Sequence, residues 1–516
     1  MGKKYITILL LALSTLVYTQ QRWETIISKV NTDLQPFYTA KTYDDGQNIY
    51  AFIHSHKGNF FKLDKNGDIL WEKVILSETN NLIVYGIKQS SNGESLLFGI
   101  SSGNGSINLL NECGDLMWCI EFDSEHYSTI RITDAVFLEN GNIVALAWLI
   151  DNDYASDVGL ISFDSNGSLL WFNNFKLQDK YPLLSKNLVP YKMKKHGDHI
   201  LISGDCYYAN PDNPNGFWLR PMFIKTTNNF EEDWFLPYGV NDTIVGTAMG
   251  SISLNGDIYK AYGYTDNSLL MSFDTNGNII ESIEITNSDI GPEINDNFFN
   301  IVLQRDDTSY FAVARFGELN NYNPCGEWIM DTIGNVFQYQ NHENTAFGTA
   351  NLTTTSDGKF CPSYNYYDEK YNIVAYKFNH DLSQSPIDTN AYEYDYLCDD
   401  LPIASDTIYI ENCSIITNIG EVPTPKEYYS SLKTIPIHIF PNPASSGITF
   451  EFGNLEQHKD ILLRVIDING QVVFEKELPN GETQIHTSVS SWQSGMYIAT
   501  ASSRRGGSGS GKFVVK

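Results

Sequence analysis

The sequence predicts an all-β protein: a closed β-propeller, with seven blades favoured over six or eight, followed by a small C-terminal β-sandwich. Three observations carry this. The chain has 38 Gly, 31 Tyr and 28 Phe but only 19% charged residues, a balance that suits strands and tight turns. Two glycine-turn phrases recur about every 50 residues through the first 400. After about Ala391 that rhythm stops, and a different set of alternating strands closes the chain. At 516 residues the protein is three to four times the size of an average domain. Its formal charge of −28 repels phosphate backbones and acidic head groups, so nucleic acid is excluded as a natural partner.

Residues 1–19, MGKKYITILLLALSTLVYT, place Lys3 and Lys4 before an apolar run from Tyr5 to Val17, with QQRWET directly after. This is the layout of a secretory signal peptide, and the run is shorter than the roughly 20 residues of a membrane span. Cleavage is expected after Thr19 or one residue later, leaving no transmembrane segment in the mature chain. Export makes disulfides possible. Seven cysteines follow (113, 119, 206, 325, 361, 398 and 413), without any CxxC spacing. Buried thiols with one or two bridges are expected, and Cys398 with Cys413 is the first pair to test.

Residues 20–400 carry the repeats. One phrase reads FFKLDKNGDILWEKV, INLLNECGDLMWCIEF, LISFDSNGSLLWFNNF and LMSFDTNGNIIESIEI, at Gly67, Gly114, Gly167 and Gly277. Alternating apolar residues run into an Asp/Asn-Gly turn and out again, as in a β-hairpin. Worn copies are expected near Trp234 and Asp381, with another at Gly334. The second phrase centres on Gly46, Gly93, Gly141, Gly197, Gly256, Asp307 and Gly358, in steps of 47, 48, 56, 59, 51 and 51 residues. Each step holds four short strands and their connections, which is one blade. QRWETIISKV at 21–30 reads as an outer strand without its own hairpin, so it is expected to pair with the last unit and close the ring. Trp71, Trp118 and Trp171 each stand four residues after a turn glycine, and are expected to pack between blades. The LDxxGxxxW phrase resembles the repeats of quinoprotein-like (PQQ-like) propellers, over about ten residues per copy. The fuller family pattern is missing, as SFDSNGSLLW at 162–171 shows, and no quinone cofactor is expected.

Residues 401–436, with acidic residues, scattered Pro and the stretch PTPKEYYSS, read as an exposed linker. Residues 437–516 follow as strands broken at Asn442-Pro443, Asn469-Gly470 and Ser494-Gly495, with eight basic and seven acidic residues over 432–516. The order of PNP, a DxxG hairpin, SGMY and a basic terminal strand resembles the type A C-terminal sorting domain of type IX secretion cargo. Pro441, Asn442 and Pro443 match the first motif. Asp467 and Gly470 match the central hairpin, Gly495 and Tyr497 the late turn, and Lys512 to Lys516 the last strand. The resemblance implies passage through the type IX machinery of the outer membrane and a secreted or cell-surface destination. It also implies removal of the tail by a cut between about Asp399 and Pro436. The glycine-rich RRGGSGSG at 504–511 is expected to leave the last hairpin loosely ordered.

No nucleophile elbow, HExxH, P-loop or dinucleotide fingerprint occurs. His54 and His56 are two apart on one strand face, without a third ligand nearby. The acidic stretches IDNDYASD and YDYLCDD leave calcium as the one ion to consider. Only the fourth unit is enlarged, and its His199, Asp205, Asp212, Trp218 and Arg220 are the candidate ligand-facing residues. Two functions fit: a surface propeller binding a glycan or protein ligand, or an extracellular carbohydrate-active enzyme whose carboxylates come from several blades.

Overall fold

A computed structural model describes residues 24–27, 40–44, 48–53, 58–77, 82–210, 213–239, 245–286, 297–316, 325–342, 351–355, 357–368, 370–386, 406–432, 435–453, 461–468, 470–478, 482–503 and 508–516. Residues 1–19, expected as a signal peptide, and His54, His56, Asp212 and Cys398 lie outside these. The chain divides into two compact units, Met1–Val422 and Pro423–Lys516.

Among the described residues, the first unit holds seven sheets, each with a run of three or four consecutive antiparallel strands. After β1 (Glu24–Ile27), the first sheet is β2 (Ala40–Asp44), β3 (Asn48–Ile53), β4 (Gly58–Asp64) and β5 (Ile69–Ser77). The second is β6 (Leu82–Gln89) to β9 (Leu116–Phe122), with β7 (Ser95–Ser101) and β8 (Asn104–Leu110) between them. The third comprises β10 (Tyr127–Phe137), β11 (Ile143–Asp151), β12 (Ser156–Phe163) and β13 (Leu169–Asn174). The short helix α1 (Leu177–Lys180) leads to the enlarged fourth sheet. This is β14 (Leu184–His196), β15 (His199–Asn210), β16 (Asn213–Thr226) and β17 (Glu232–Pro237). The fifth is β18 (Thr247–Asn255), β19 (Ile258–Tyr264), β20 (Ser268–Asp274) and β21 (Ile279–Ile285). The sixth is β22 (Asn297–Asp306), β23 (Ser309–Phe316), β24 (Cys325–Asp331) and β25 (Val336–His342). The seventh has β26 (Asn351–Thr354), β27 (Phe360–Asp368) and β28 (Lys370–Tyr376), and its fourth strand is β1, antiparallel to β28 from Glu24↔Tyr376 to Ile27↔Ile373. The first strands of successive sheets are neighbours in order, from β2 beside β6 through to β22 beside β26, and β26 also lies beside β2. The arrangement is propeller-like.

The turn chemistry read from the sequence is present. At the first sheet's second hairpin, the Asp64 carboxylate accepts the N–H groups of Asn66 and Asp68 at 2.8 and 2.9 Å. Gly67, at φ 86°, donates to the Asp64 carbonyl at 2.9 Å. Because strands alternate in direction, the connections from first to second strand, and from third to fourth in the first six sheets, fall at one end, called here the turn end. The connections between second and third strands, and between sheets, fall at the other, the loop end.

The tryptophans seal the turn end between sheets. A Cβ at Gly114 would come 2.9 Å from the Trp71 ring of the preceding sheet, and one at Gly167 would come 2.9 Å from Trp118. Trp171 stacks on Phe230 with centroids 5.0 Å apart, where the worn fourth copy puts Phe at φ 60° instead of Gly. Trp234 repeats the contact over Gly277. Deeper in, buried Asp134 on β10 ties three first strands together: Lys88 of β6 lies 3.1 Å from its carboxylate and Met193 of β14 donates its N–H at 2.9 Å. Buried Glu327 joins the sixth and seventh sheets, accepting from Tyr364 and bonding His342 at 2.8 Å.

Residues 401–436, expected as an exposed linker, include two further strands. β29 (Asp406–Ile410) adds parallel to β5, and β30 (Ser414–Ile416) adds parallel to β9. Ile408 and Ile410 are buried in the core cluster that holds Trp71, Ile75 and Cys119. Cys413 is bridged to Cys119, not to Cys398, across 294 residues of sequence. Cys113 is also disulfide-bonded, while Cys206, Cys325 and Cys361 are buried. The acidic composition concealed an alternating apolar pattern, DTIYI, that fits a sheet edge.

In the second unit, α2 (Pro425–Leu432) precedes a sandwich. One sheet is β31 (Ile437–Phe440), β32 (Gly447–Phe452) and β35 (Gln484–Ser488). The other, in the order β34-β33-β36-β37, is Val472–Glu477, Ile461–Asp467, Gly495–Ser503 and Ser508–Val515. Phe450, Leu463, Val465, Tyr497 and Phe513 fill the space between them. β36 and β37 pair in continuous register from Gly495↔Val515 to Ser502↔Ser508, and the turn of that hairpin, expected to be loosely ordered, lies outside the described residues. The glycines there serve close approach: a Cβ at Gly509 would sit 1.9 Å from the Ile435 carbonyl, and one at Gly511 would sit 2.6 Å from Ile439.

Candidate functional site

The enlarged fourth sheet sorts the five sequence-derived candidates into different places. His199 opens β15 at the turn end, where its Nε2 bonds the Tyr259 hydroxyl. Asp205 is six residues further along, about 20 Å away at strand rise, near the loop end. Across the β15–β16 pair, Asp205 faces Pro221 while Arg220 faces Cys206, so the acid and the arginine project from opposite sides of the sheet. Arg220 is buried and donates from Nη1 to the Gly239 carbonyl at 2.8 Å, holding the connection that leads to β18. His199 and Arg220 therefore do not share a site with Asp205. Trp218 is half exposed at the loop end, opposite Tyr208.

Asp205 gathers hydroxyls around a buried carboxylate. Tyr191 of β14 donates its OH at 2.8 Å and Thr247 of β18 its hydroxyl at 3.3 Å. Burial pushes the Asp205 carboxyl above the usual carboxylate range, against the pull of these two bonds. The Tyr191 phenol is raised in turn by burial and by the Asp205 charge, with Tyr264 and Tyr207 adding to the same effect. Tyr264, at the end of β19, meets Phe298 edge to face at 5.1 Å, and the Arg315 guanidinium lies 4.4 Å from the Phe298 centroid. The loop ends of the fourth, fifth and sixth sheets thus share one aromatic and polar surface.

Tyr191, Thr247, Tyr264, Phe298 and Arg315 escaped sequence reasoning because they belong to different repeats. The usable signal was an aromatic residue at the strand end remote from the glycine turns. Among the described residues, no group of three or more His, Cys, Asp or Glu side chains could hold a metal ion. At IDNDYASD, Asp151 accepts the N–H groups of Asp153 and Ala155 at 2.8 Å each, which is turn closure. YDYLCDD lies outside the described residues.

In the second unit the motif residues meet at one end of the sandwich. Asn442, flanked by cis peptide bonds before Pro441 and Pro443, accepts the Val514 N–H at 3.0 Å and donates to the Lys512 carbonyl at 3.4 Å. The Lys516 N–H bonds the Ala444 carbonyl at 2.8 Å. Asp467 closes its hairpin by accepting from Gln471 at 2.9 Å, with Gly470 at φ 82°. Gly495 begins β36, and buried Tyr497 bonds the Gln493 carbonyl at 2.7 Å.

Residues 438–516 match the family model of the secretion system C-terminal sorting domain. The tail carries a cargo-sorting signature. The match supports a type IX cargo protein with a secreted or cell-surface destination. No curated protein matches the chain. Among solved structures, a protein from Lactobacillus plantarum is 9% identical with a TM-score of 0.43, covering 71% of this chain and 96% of its own. A polysaccharide lyase described as an ulvan lyase is 14% identical, TM-score 0.42, with 67% and 92% covered. A subtype N10 neuraminidase-like protein of A/little yellow-shouldered bat/Guatemala is 10% identical, TM-score 0.36, with 68% and 97% covered. No helix among the described residues is long and apolar enough to cross a membrane.

Proposed function

We propose that this is an exported binding protein: a closed seven-bladed propeller whose loop-end rim recognises a glycan or protein ligand outside the cell. The observation that carries the binding reading is the convergence of Tyr191 and Thr247 on buried Asp205, beside exposed aromatic rings. Polar groups that fix orientation among aromatic surfaces are what ligand recognition requires. Closure is supported by β1 in the seventh sheet and by β2 lying beside β26. Delivery rests on residues 437–516, with Pro441, Asn442, Pro443, Asp467, Gly470, Gly495, Tyr497, Lys512 and Lys516 forming the sorting signal.

One observation favours the second reading, a carbohydrate-active enzyme: burial shifts the Asp205 carboxyl upward, the direction in which a general acid is tuned. A glycan and protein array, run beside a reducing-sugar release assay on the full chain, separates the two. Binding without release, weakened by Tyr191→Phe, is the expected result. Release abolished by Asp205→Asn would establish the enzyme, and a chain that retains neither glycan nor protein would end the binding reading.

A further inference from the structure

The loop-end aromatics form a series. Tyr154, in the connection between β11 and β12 of the third sheet, is 80% exposed. In the fourth sheet β15 and β16 run to 12 and 14 residues, against seven in the matching β19 and β20, so this hairpin is longer than its counterpart. It bears Tyr207 at 40%, Phe217 at 49% and Trp218 at 48% exposure. Register puts Trp218 opposite Tyr208 and Phe217 opposite Ala209, so the indole and the Phe217 ring stand on opposite faces of the ribbon. Tyr264 continues the series in the fifth sheet and Phe298 in the sixth.

We infer that this rim holds an uncharged polysaccharide as an extended chain across the third to sixth sheets; the inference rests on the binding reading above. Two features select this ligand. First, aromatic side chains stand at the loop ends of successive sheets, with exposed rings at Tyr154, Tyr207, Phe217 and Trp218. They suit a polymer that offers the same apolar sugar face again and again, rather than one compact epitope or a single monosaccharide. Second, the charge around them is acidic. Asp157, Asp205 and Glu284 lie at the same ends, and the whole chain carries −28. Three nearby cations are engaged within the fold: Lys180 pairs with Glu232 at 2.5 Å, Arg220 is buried on Gly239, and Arg315 lies on Phe298, while Lys176 stands exposed after β13. A polyanion meets repulsion along this path, whereas a neutral glycan meets rings and hydrogen-bonding hydroxyl and carboxyl groups.

Affinity electrophoresis of the full chain tests this with laminarin, xyloglucan, xylan and glucomannan as neutral probes, and alginate and polygalacturonate as acidic ones. Calorimetry on oligosaccharides of two to eight units, cut from whichever neutral polymer retards the protein, adds a length series. Affinity is expected to rise with chain length, and Trp218→Ala and Tyr154→Ala should each weaken binding by about tenfold. Both side chains are exposed, so the melting temperature should stay at the parent value. Retardation by the acidic polymers alone, or neutral binding that ignores chain length and both substitutions, overturns the inference but leaves a binding protein. Capture of a protein and no glycan does the same. Absence of any ligand removes both readings.

Discussion

At the residue scale, the turn-end tryptophans and a few buried polar groups account for how the sheets hold together. Trp171 is fully buried against Phe230 of the next sheet, so Trp171→Ala removes a large ring from a seam that nothing else fills. A loss of about 3 to 5 kcal/mol is expected, read from the urea midpoint. A variant with the parent's midpoint would mean that the seam does not depend on the ring. Asp157 gives a pH signature. Burial raises its carboxyl to about 6, against bonds donated by the N–H groups of Val158 and Leu177. Because the folded value lies above the unfolded one, the fold disfavours the carboxylate. The penalty is absent below about pH 4, grows as pH rises to about 6, and is complete above that. Asp157→Asn should therefore be more stable than the parent at pH 8, by no more than about 3 kcal/mol since the group is only half buried. The two melting curves should converge at pH 4. His196, held down to about 4 by burial and by Lys194 and His199, works in the opposite sense in parent and variant alike, so the difference between them isolates Asp157.

At the element scale, two strands from distant parts of the chain complete sheets begun elsewhere. β1 supplies the outer strand of the seventh sheet, and deleting residues 20–32 with residues 1–19 kept leaves that edge and its neighbour's face exposed. The expected consequence is a lower melting temperature for the whole first unit. A transition that stayed at the parent temperature would break the link between β1 and closure. β29 and β30 form a strap over the outer edges of the first two sheets, fastened by Cys119–Cys413. The bridge closes a loop of almost 300 residues, for which the chain-entropy account gives several kcal/mol. Cys413→Ser should release β30 first, because three residues of parallel pairing are a weak hold without the bond. Faster amide exchange at 414–416 and on β9, with the other sheets unaffected, is the expected pattern in hydrogen-exchange mass spectrometry.

For the whole molecule, the two compact units have separate cores, so loss of residues 437–516 should leave the first unit folded but retained in the periplasm. Fractionation blots decide this, and normal surface levels of the truncated protein would contradict the sorting role. The strap also bears on the tail removal that the sequence resemblance implies. Cys413 is tied to Cys119, so a cut before Cys413 would leave the tail attached under oxidising conditions, and release calls for a cut after it, before β31.

Local physics was legible in the amino-acid order. Alternating apolar residues, the Asp/Asn-Gly turns with their positive φ, the 50-residue period and the Asn442 and Asp467 motifs all act within a few residues of one another. They determined the strands, the hairpins, the four-strand units and the tail sandwich, and even the pairing of Glu24–Ile27 with the last unit followed from a strand left without a hairpin. What joins one repeat to another was not legible in that way. The hydroxyls around Asp205, the aromatic rim, the separation of Arg220 from Asp205 across a sheet, and the Cys119–Cys413 strap bring together residues 14 to 294 positions apart. Strand register and the neighbouring sheet decide those contacts, because a side chain's face depends on pairing parity and its partner on which sheet packs against it.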